Sequence, residues 1–146
     1  MLGPILLVED NPDDERLTLR ALSSCGLNHE VLVVRDGGEA LDYMFALGRW
    51  KGRDVGLQPV LVLLDLALPT IDGFEVMRQI RAEPVTRTVP VVMLTSTREQ
   101  SALLESYGAG ANGYVVKPVD LATYVQTVRE IGSYWLRVNG SGVTPG

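Results

Sequence analysis

The stretch Val60-Leu61-Val62-Leu63-Leu64-Asp65-Leu66-Ala67-Leu68-Pro69-Thr70-Ile71-Asp72-Gly73 decides the fold. Val60 to Leu64 is an unbroken apolar run, the pattern of a strand covered on both faces by helices. It stops at the carboxylate Asp65, before Leu66-Ala67-Leu68-Pro69. Three other runs repeat the design. Ile5 to Val8 ends in Glu9 and Asp10, Val91 to Leu94 ends in Thr95, and Tyr114 to Val116 ends in Lys117 and Pro118. Val31 to Val34, short and rich in β-branched residues, supplies a fifth strand before the Asp36-Gly37-Gly38 turn.

Amphipathic helices are expected between these runs. Asn11 suits an N-cap, Pro12 the first helical position, and Asp13, Asp14 and Glu15 the positive end of the helix dipole. The first helix runs to about Ser24, with Leu17, Ala21, Ser24 and Cys25 on one face. Ala40, Leu41, Met44 and Phe45 mark a second helix, and Phe74, Met77 and Ile80 a third. A fourth spans 98–107, carrying Leu103, Leu104 and Tyr107, before a glycine-rich turn at Gly108 to Gly113. Asp120 caps the last helix, whose stripe is Leu121, Tyr124, Val125, Val128, Ile131 and Trp135. Gly48 to Pro59 holds three glycines and several charges and reads as a long exposed connection. Strands alternating with helices imply three α/β layers joined by right-handed crossovers. Residues 1–138 form one domain, and 139–146 a flexible tail rich in Gly and Ser.

Composition narrows the function. The 146 residues have a hydrophobic fraction of 46%, enough for a core, and a formal charge of −5. That balance argues against nonspecific binding to nucleic acid or to anionic membrane. No apolar run is long enough to span a bilayer, and the N-terminus lacks the basic region of a signal peptide. The single cysteine, Cys25, reads as a small core residue, and a cytoplasmic location is expected.

In an open parallel sheet the carboxyl ends of the strands share one edge, where ligands bind. Glu9, Asp10, Asp65, Thr95 and Lys117 should therefore converge. Taken alone, Asp65 serves equally well as a turn cap or as a nucleophile toward phosphorus. Glu9 and Asp10 shift the balance, because three adjacent carboxylates repel one another unless a cation lies among them. Mg²⁺ prefers hard oxygen ligands, keeps several waters and needs only one or two carboxylates. Lys117 and Thr95 would then offer a charge and a hydroxyl to phosphoryl oxygens. An aspartyl-nucleophile phosphatase would need a second Asp two positions after the nucleophile, where Ala67 stands. A cofactor carrier of the flavodoxin kind would need a Gly- or Ser/Thr-rich phosphate loop where Glu9 and Asp10 stand.

The motifs LLVEDNP, LLDLALPTIDGFE, VVMLTS and YVVKP, and above all the spacing of Asp65, Pro69, Asp72 and Gly73, resemble the receiver domains of two-component response regulators. The resemblance covers Ile5 to about Trp135. It implies a doubly wound five-stranded parallel sheet of flavodoxin-like order 2-1-3-4-5 with five helices. It also implies phosphorylation of Asp65 by a sensor histidine kinase or a histidine phosphotransfer protein, with Mg²⁺ held by Glu9, Asp10, Asp65 and the Ala67 carbonyl. Thr95 and Lys117 would contact the phosphoryl group, Thr95 and Tyr114 would form the switch, and the Lys117–Pro118 bond would be cis. Such a protein is not an enzyme beyond its own phosphorylation and dephosphorylation. Within the family, VEDNPDD, VVRDGGEAL, the long connection after the second helix, KPVDL and Tyr134-Trp135-Leu136 resemble single-domain regulators of bacterial phytochrome kinases. That implies a stand-alone regulator, homodimeric through the fifth helix region. Ala67 departs from the Asn common at its position, which leaves the lifetime of the phosphorylated state open. A degenerate receiver serving only as a docking module is the alternative.

Overall fold

Side chains alternate across a strand, and in this chain the alternation sorts the apolar residues into two cores on opposite faces of one sheet. The structure is a computed structural model that describes residues 3–23, 29–95, 112–116, 122–123, 126–127, 129–130 and 134. Five parallel strands, β1 (Ile5–Val8), β2 (Val31–Val34), β3 (Leu61–Asp65), β4 (Val91–Thr95) and β5 (Gly113–Val116), lie in the expected order β2-β1-β3-β4-β5. Leu6, Val8, Val62, Leu64, Val91 and Met93 face α2 (Gly37–Phe45) and α3 (Gly73–Ala82), meeting Ala40, Met44, Val76, Met77 and Ile80. Ile5, Leu7, Leu61, Leu63, Val92 and Leu94 form the other core with Ala21 and Leu22 of α1 (Pro12–Ser23). Burial of β1, β3 and β4 along their full length explains why their sequences run apolar without alternation.

Register places the functional edge. Val8 lies level with Val34 on one side and Leu64 on the other. The next residues, Glu9, Arg35 and Asp65, therefore emerge together. Asp65 itself stays in the ladder opposite Leu94, so β3 ends one residue beyond the expected Leu64 and starts at Leu61 rather than Val60. Similarly β4 includes Thr95, and β5 begins at Gly113, paired with Val92.

The helix starts follow the local chemistry. Asn11 Oδ1 accepts from the Asp13 and Asp14 amides at 2.8 and 3.2 Å. Asp36 caps α2 through the Glu39 amide at 2.8 Å, and Asp72 caps α3 through the Glu75 amide at 2.9 Å. At the far end of α2, Ala46 takes a left-handed conformation (φ 57°) while the Leu47 amide donates to Asp42 O and the Ala46 amide to Tyr43 O. This is a Schellman stop built without glycine.

The connection after α2 is long, as expected, and carries an order that its composition does not announce. Much of it is exposed, but it is anchored. A 3-10 turn covers Gly48–Trp50, and the Arg53 guanidinium donates to the carbonyls of Tyr43, Met44, Asp54 and Leu57. Arg53 also stacks on the Tyr43 ring, Tyr43 meets Trp50 edge-on, and Arg49 covers Trp50. Gln58 donates to Met44 O and Val55 O. A long polar side chain thus satisfies carbonyls left over at the end of a helix, a tertiary effect that composition does not reveal.

Residues 122–123, 126–127, 129–130 and 134 are helical and, apart from the half-buried Thr127, exposed, as expected of the polar positions between the stripe residues of the last helix. The stripe itself, the fourth helix, Cys25, Asp120 and the tail at 139–146 lie outside the described residues.

Gly73 ties α3 to the end of β3. Its amide donates to Leu66 O at 2.9 Å, and a Cβ there would fall 2.6 Å from Asp65 O and 2.8 Å from Leu66 Cα. Gly73→Ala should cost about 1–3 kcal/mol in urea unfolding, whereas Ala46→Gly should add about 0.5–1 kcal/mol by removing left-handed strain. An unchanged Gly73→Ala midpoint would contradict the packing described, and a destabilised Ala46→Gly would contradict the cap.

Candidate functional site

Strand β1 delivers two carboxylates to the carboxyl edge, in opposite surroundings. The Glu9 amide donates to Val34 O at 3.0 Å, prolonging the ladder, and its side chain is fully buried. The Asn11 amide donates to Glu9 Oε2 at 3.4 Å. Asp10 is exposed. From the neighbouring strand Asp65 arrives 4% exposed, with Oδ1 accepting from the Ala67 amide at 3.1 Å. One carboxylate oxygen from each of Glu9, Asp10 and Asp65 lies within 4.8 Å of the others.

This geometry fits a hard divalent cation. Negative charges so close repel strongly where water is scarce, and burying a carboxylate is costly without compensation. A cation with oxygen ligands supplies that compensation, and an exposed Asp10 leaves room for the waters that Mg²⁺ retains.

Thr95 closes β4 and is fully buried, with Oγ1 donating to Val115 O at 3.5 Å. It sits opposite Val116 on β5. Tyr114 is placed on β5 opposite Met93; its side chain, Lys117 and the Lys117–Pro118 bond lie outside the described residues. Of the expected set, then, the structure brings together Glu9, Asp10 and Asp65, puts Thr95 on the same edge, and places the backbone of Ala67 beside Asp65.

Two features of the edge were not apparent from spacing. Arg35 leaves β2 beside the acidic cluster and pairs with Glu15 of α1, a contact that raises the Arg35 pKa through hydrogen bonding and charge. Its amide donates to Glu39 Oε2 at 3.0 Å, and Glu39 also pairs with Arg49 at 3.1 Å. A cation directly after a strand was the available signal. The second is Thr70, which holds φ at 68° between Pro69 and Ile71. A β-branched residue is a poor sequence marker for that conformation.

Residues 5–129 match the response regulator receiver domain family. A probable methanogenesis regulatory protein, FilR2 from Methanothrix harundinacea, is 41% identical over 137 residues, which cover 94% of this chain and 86% of FilR2. The solved structure of the bacteriophytochrome response regulator RtBRR superposes with a TM-score of 0.80 at 48% identity, over 90% of this chain and 79% of that one. The crystal structure of the Mn²⁺-bound form of response regulator Rcp1 gives 0.81 at 35% identity, over 92% and 94% of the two chains.

If the three carboxylates share a cation, Mg²⁺ or Mn²⁺ should raise the thermal midpoint of the protein, and Asp10→Asn should remove most of that rise. The same variant should be at least as stable as the parent in EDTA, since it relieves repulsion. A full Mg²⁺-dependent rise in Asp10→Asn would contradict the shared site.

Proposed function

This chain belongs to the response regulator receiver family, and we propose that it carries a phosphoryl group on Asp65, received from the histidine of a sensor kinase or phosphotransfer protein. The observation that supports this most directly is the approach of Glu9, Asp10 and Asp65 within 4.8 Å at the carboxyl edge. An Asp65 carboxylate oxygen attacks phosphorus. The P–N bond to the donor imidazole breaks, and its electron pair stays on the nitrogen, which takes up a proton. Asp65 is suited to the attack because a strand end and the Ala67 amide fix its carboxylate.

In this reading Glu9, Asp10, Asp65 and the Ala67 carbonyl hold Mg²⁺, which when bound neutralises the acids and offsets charge on the incoming phosphoryl group. Thr95 and Lys117 donate to phosphoryl oxygens. Thr95 would give up its 3.5 Å contact with Val115 O to do so, and Tyr114 would respond by a population shift between two packings. The catalytic contribution is positioning and electrostatics. The protein acts through changed protein contacts rather than by turning over a substrate.

The likeness to RtBRR supports pairing with a phytochrome kinase. Homodimerisation through the last helix is supported by Tyr134, a residue 51% exposed on that helix. No helix among the described residues is long and apolar enough to cross a membrane, in keeping with a cytoplasmic regulator.

Labelling with radioactive acetyl phosphate tests the central assignment: Asp65→Asn should lose the label, and EDTA should abolish it in the parent. A labelled Asp65→Asn protein would overturn the assignment. Light scattering at micromolar concentration tests the dimer. Tyr134→Ala with Leu136→Ala should lower the mass to that of a monomer, and a monomeric parent, with or without phosphorylation, would exclude it.

A further inference from the structure

Between Asp65 and α3 the chain forms a closed loop whose two ends meet. The Leu66 amide donates to Leu94 O, and the Gly73 amide returns to Leu66 O, both at 2.9 Å. Inside this ring two side chains are anchored, Leu68 buried and Ile71 packed against the core. Between them the Ile71 amide donates to Pro69 O at 2.7 Å across Thr70. That is a γ-turn hydrogen bond around a β-branched residue at φ 68°. Such a conformation is strained for Thr and persists only when its surroundings hold it in place.

The start of the loop that carries this turn touches the phosphoacceptor, since Ala67 donates its amide to Asp65 Oδ1 at 3.1 Å. The other end abuts a different element. A Cβ built on Gly37, the first residue of α2, would lie 2.5 Å from Ile71 O, 2.7 Å from Val76 Cγ2 and 3.0 Å from Ile71 Cβ. The Ile71 backbone and the start of α2 are therefore in direct contact, with no flexible side chain between them to absorb a shift.

We propose that the Pro69–Thr70–Ile71 turn is a second relay, which passes the phosphorylation state of Asp65 to the start of α2 through the contact of the Ile71 carbonyl with Gly37. The proposal rests on Asp65 being the phosphoacceptor. When a phosphoryl group is attached, the Asp65 oxygens lose carboxylate charge and the phosphoryl oxygens become the stronger acceptors for the Ala67 amide. Ala67 moves with that bond. The Leu68 side chain stays anchored in the core and its backbone turns about that anchor, so the change in backbone angles passes to the residue already strained, Thr70. Relaxation there shifts the Ile71 carbonyl, and α2 moves at Gly37. This route runs from β3 to α2, whereas Thr95 lies on β4 beside β5, so the two responses can be read at different amides.

Amide NMR spectra with Mg²⁺ and beryllofluoride, a phosphoryl analogue, test the relay in the parent, Thr70→Gly and Thr70→Val. In the parent the amides of Ala67, Ile71, Gly37 and Gly38 should all shift. Thr70→Gly, free to absorb the motion, should keep the Ala67 shift while its Gly37 response falls at least roughly twofold. Thr70→Val keeps the branched side chain and loses only the hydroxyl, so it should respond like the parent. A stationary Gly37 in the parent, or an undiminished Gly37 response in Thr70→Gly, would overturn the relay while leaving Asp65 as the acceptor. A parent in which Ala67 too stays still would overturn the acceptor assignment and the relay with it.

Discussion

The repulsion among three carboxylates held within 4.8 Å of one another is the constraint on which the rest depends. Nothing in a stable fold requires Glu9 to be fully buried beside Asp65, and burying one acid near another is unfavourable without compensation. The sheet nevertheless imposes the arrangement. Parallel register sets Val8 level with Leu64, so Glu9 and Asp65 emerge at the same height on adjacent strands. The two cores fix that register, because a slip of one residue would turn apolar side chains from one core toward the other.

Around this edge the helices begin and the loops close. Asn11, Asp36 and Asp72 cap α1, α2 and α3 at the edge of the sheet that carries the site. Each connection entering a helix there is short and hydrogen-bonded. The α2–β3 connection lies at the other end of α2 and is longer, and it relies on Arg53 and Gln58 for order. The protein thus concentrates rigidity where carboxylate positions matter, with Thr70 as the strained exception beside Asp65.

Much of this was legible in the chain. The four apolar runs and their terminal residues announced the strands, and for β1, β3 and β4 the reason is that a strand covered on both faces has no polar positions to confuse the pattern. Asn11-Pro12 announced a helix start through side-chain chemistry that acts over three residues, whereas the cap supplied by Asp72 was not read from the sequence. The strand ends were less legible. Asp65 continues the ladder opposite Leu94, and a polar residue gives no local sign of remaining in a sheet. The Arg53 anchor was hidden because its carbonyl partners meet only in the assembled fold, and the left-handed Ala46 and Thr70 because neither residue type favours that conformation. Glycine contacts fell between the two. The spacing of Asp72 and Gly73 after Asp65 carried the family resemblance, but the closeness of Gly73 to Asp65 O comes only from the assembled fold.

The most direct test of the account is chemical identification of the modified residue. Protein treated with acetyl phosphate and Mg²⁺, then with borohydride, should yield a peptide in which residue 65 has been reduced to homoserine, the product of an aspartyl phosphate. The account predicts that conversion at Asp65 alone, and its loss when EDTA replaces Mg²⁺. Conversion at Asp10, Asp72 or another acid, with Asp65 intact, would contradict it.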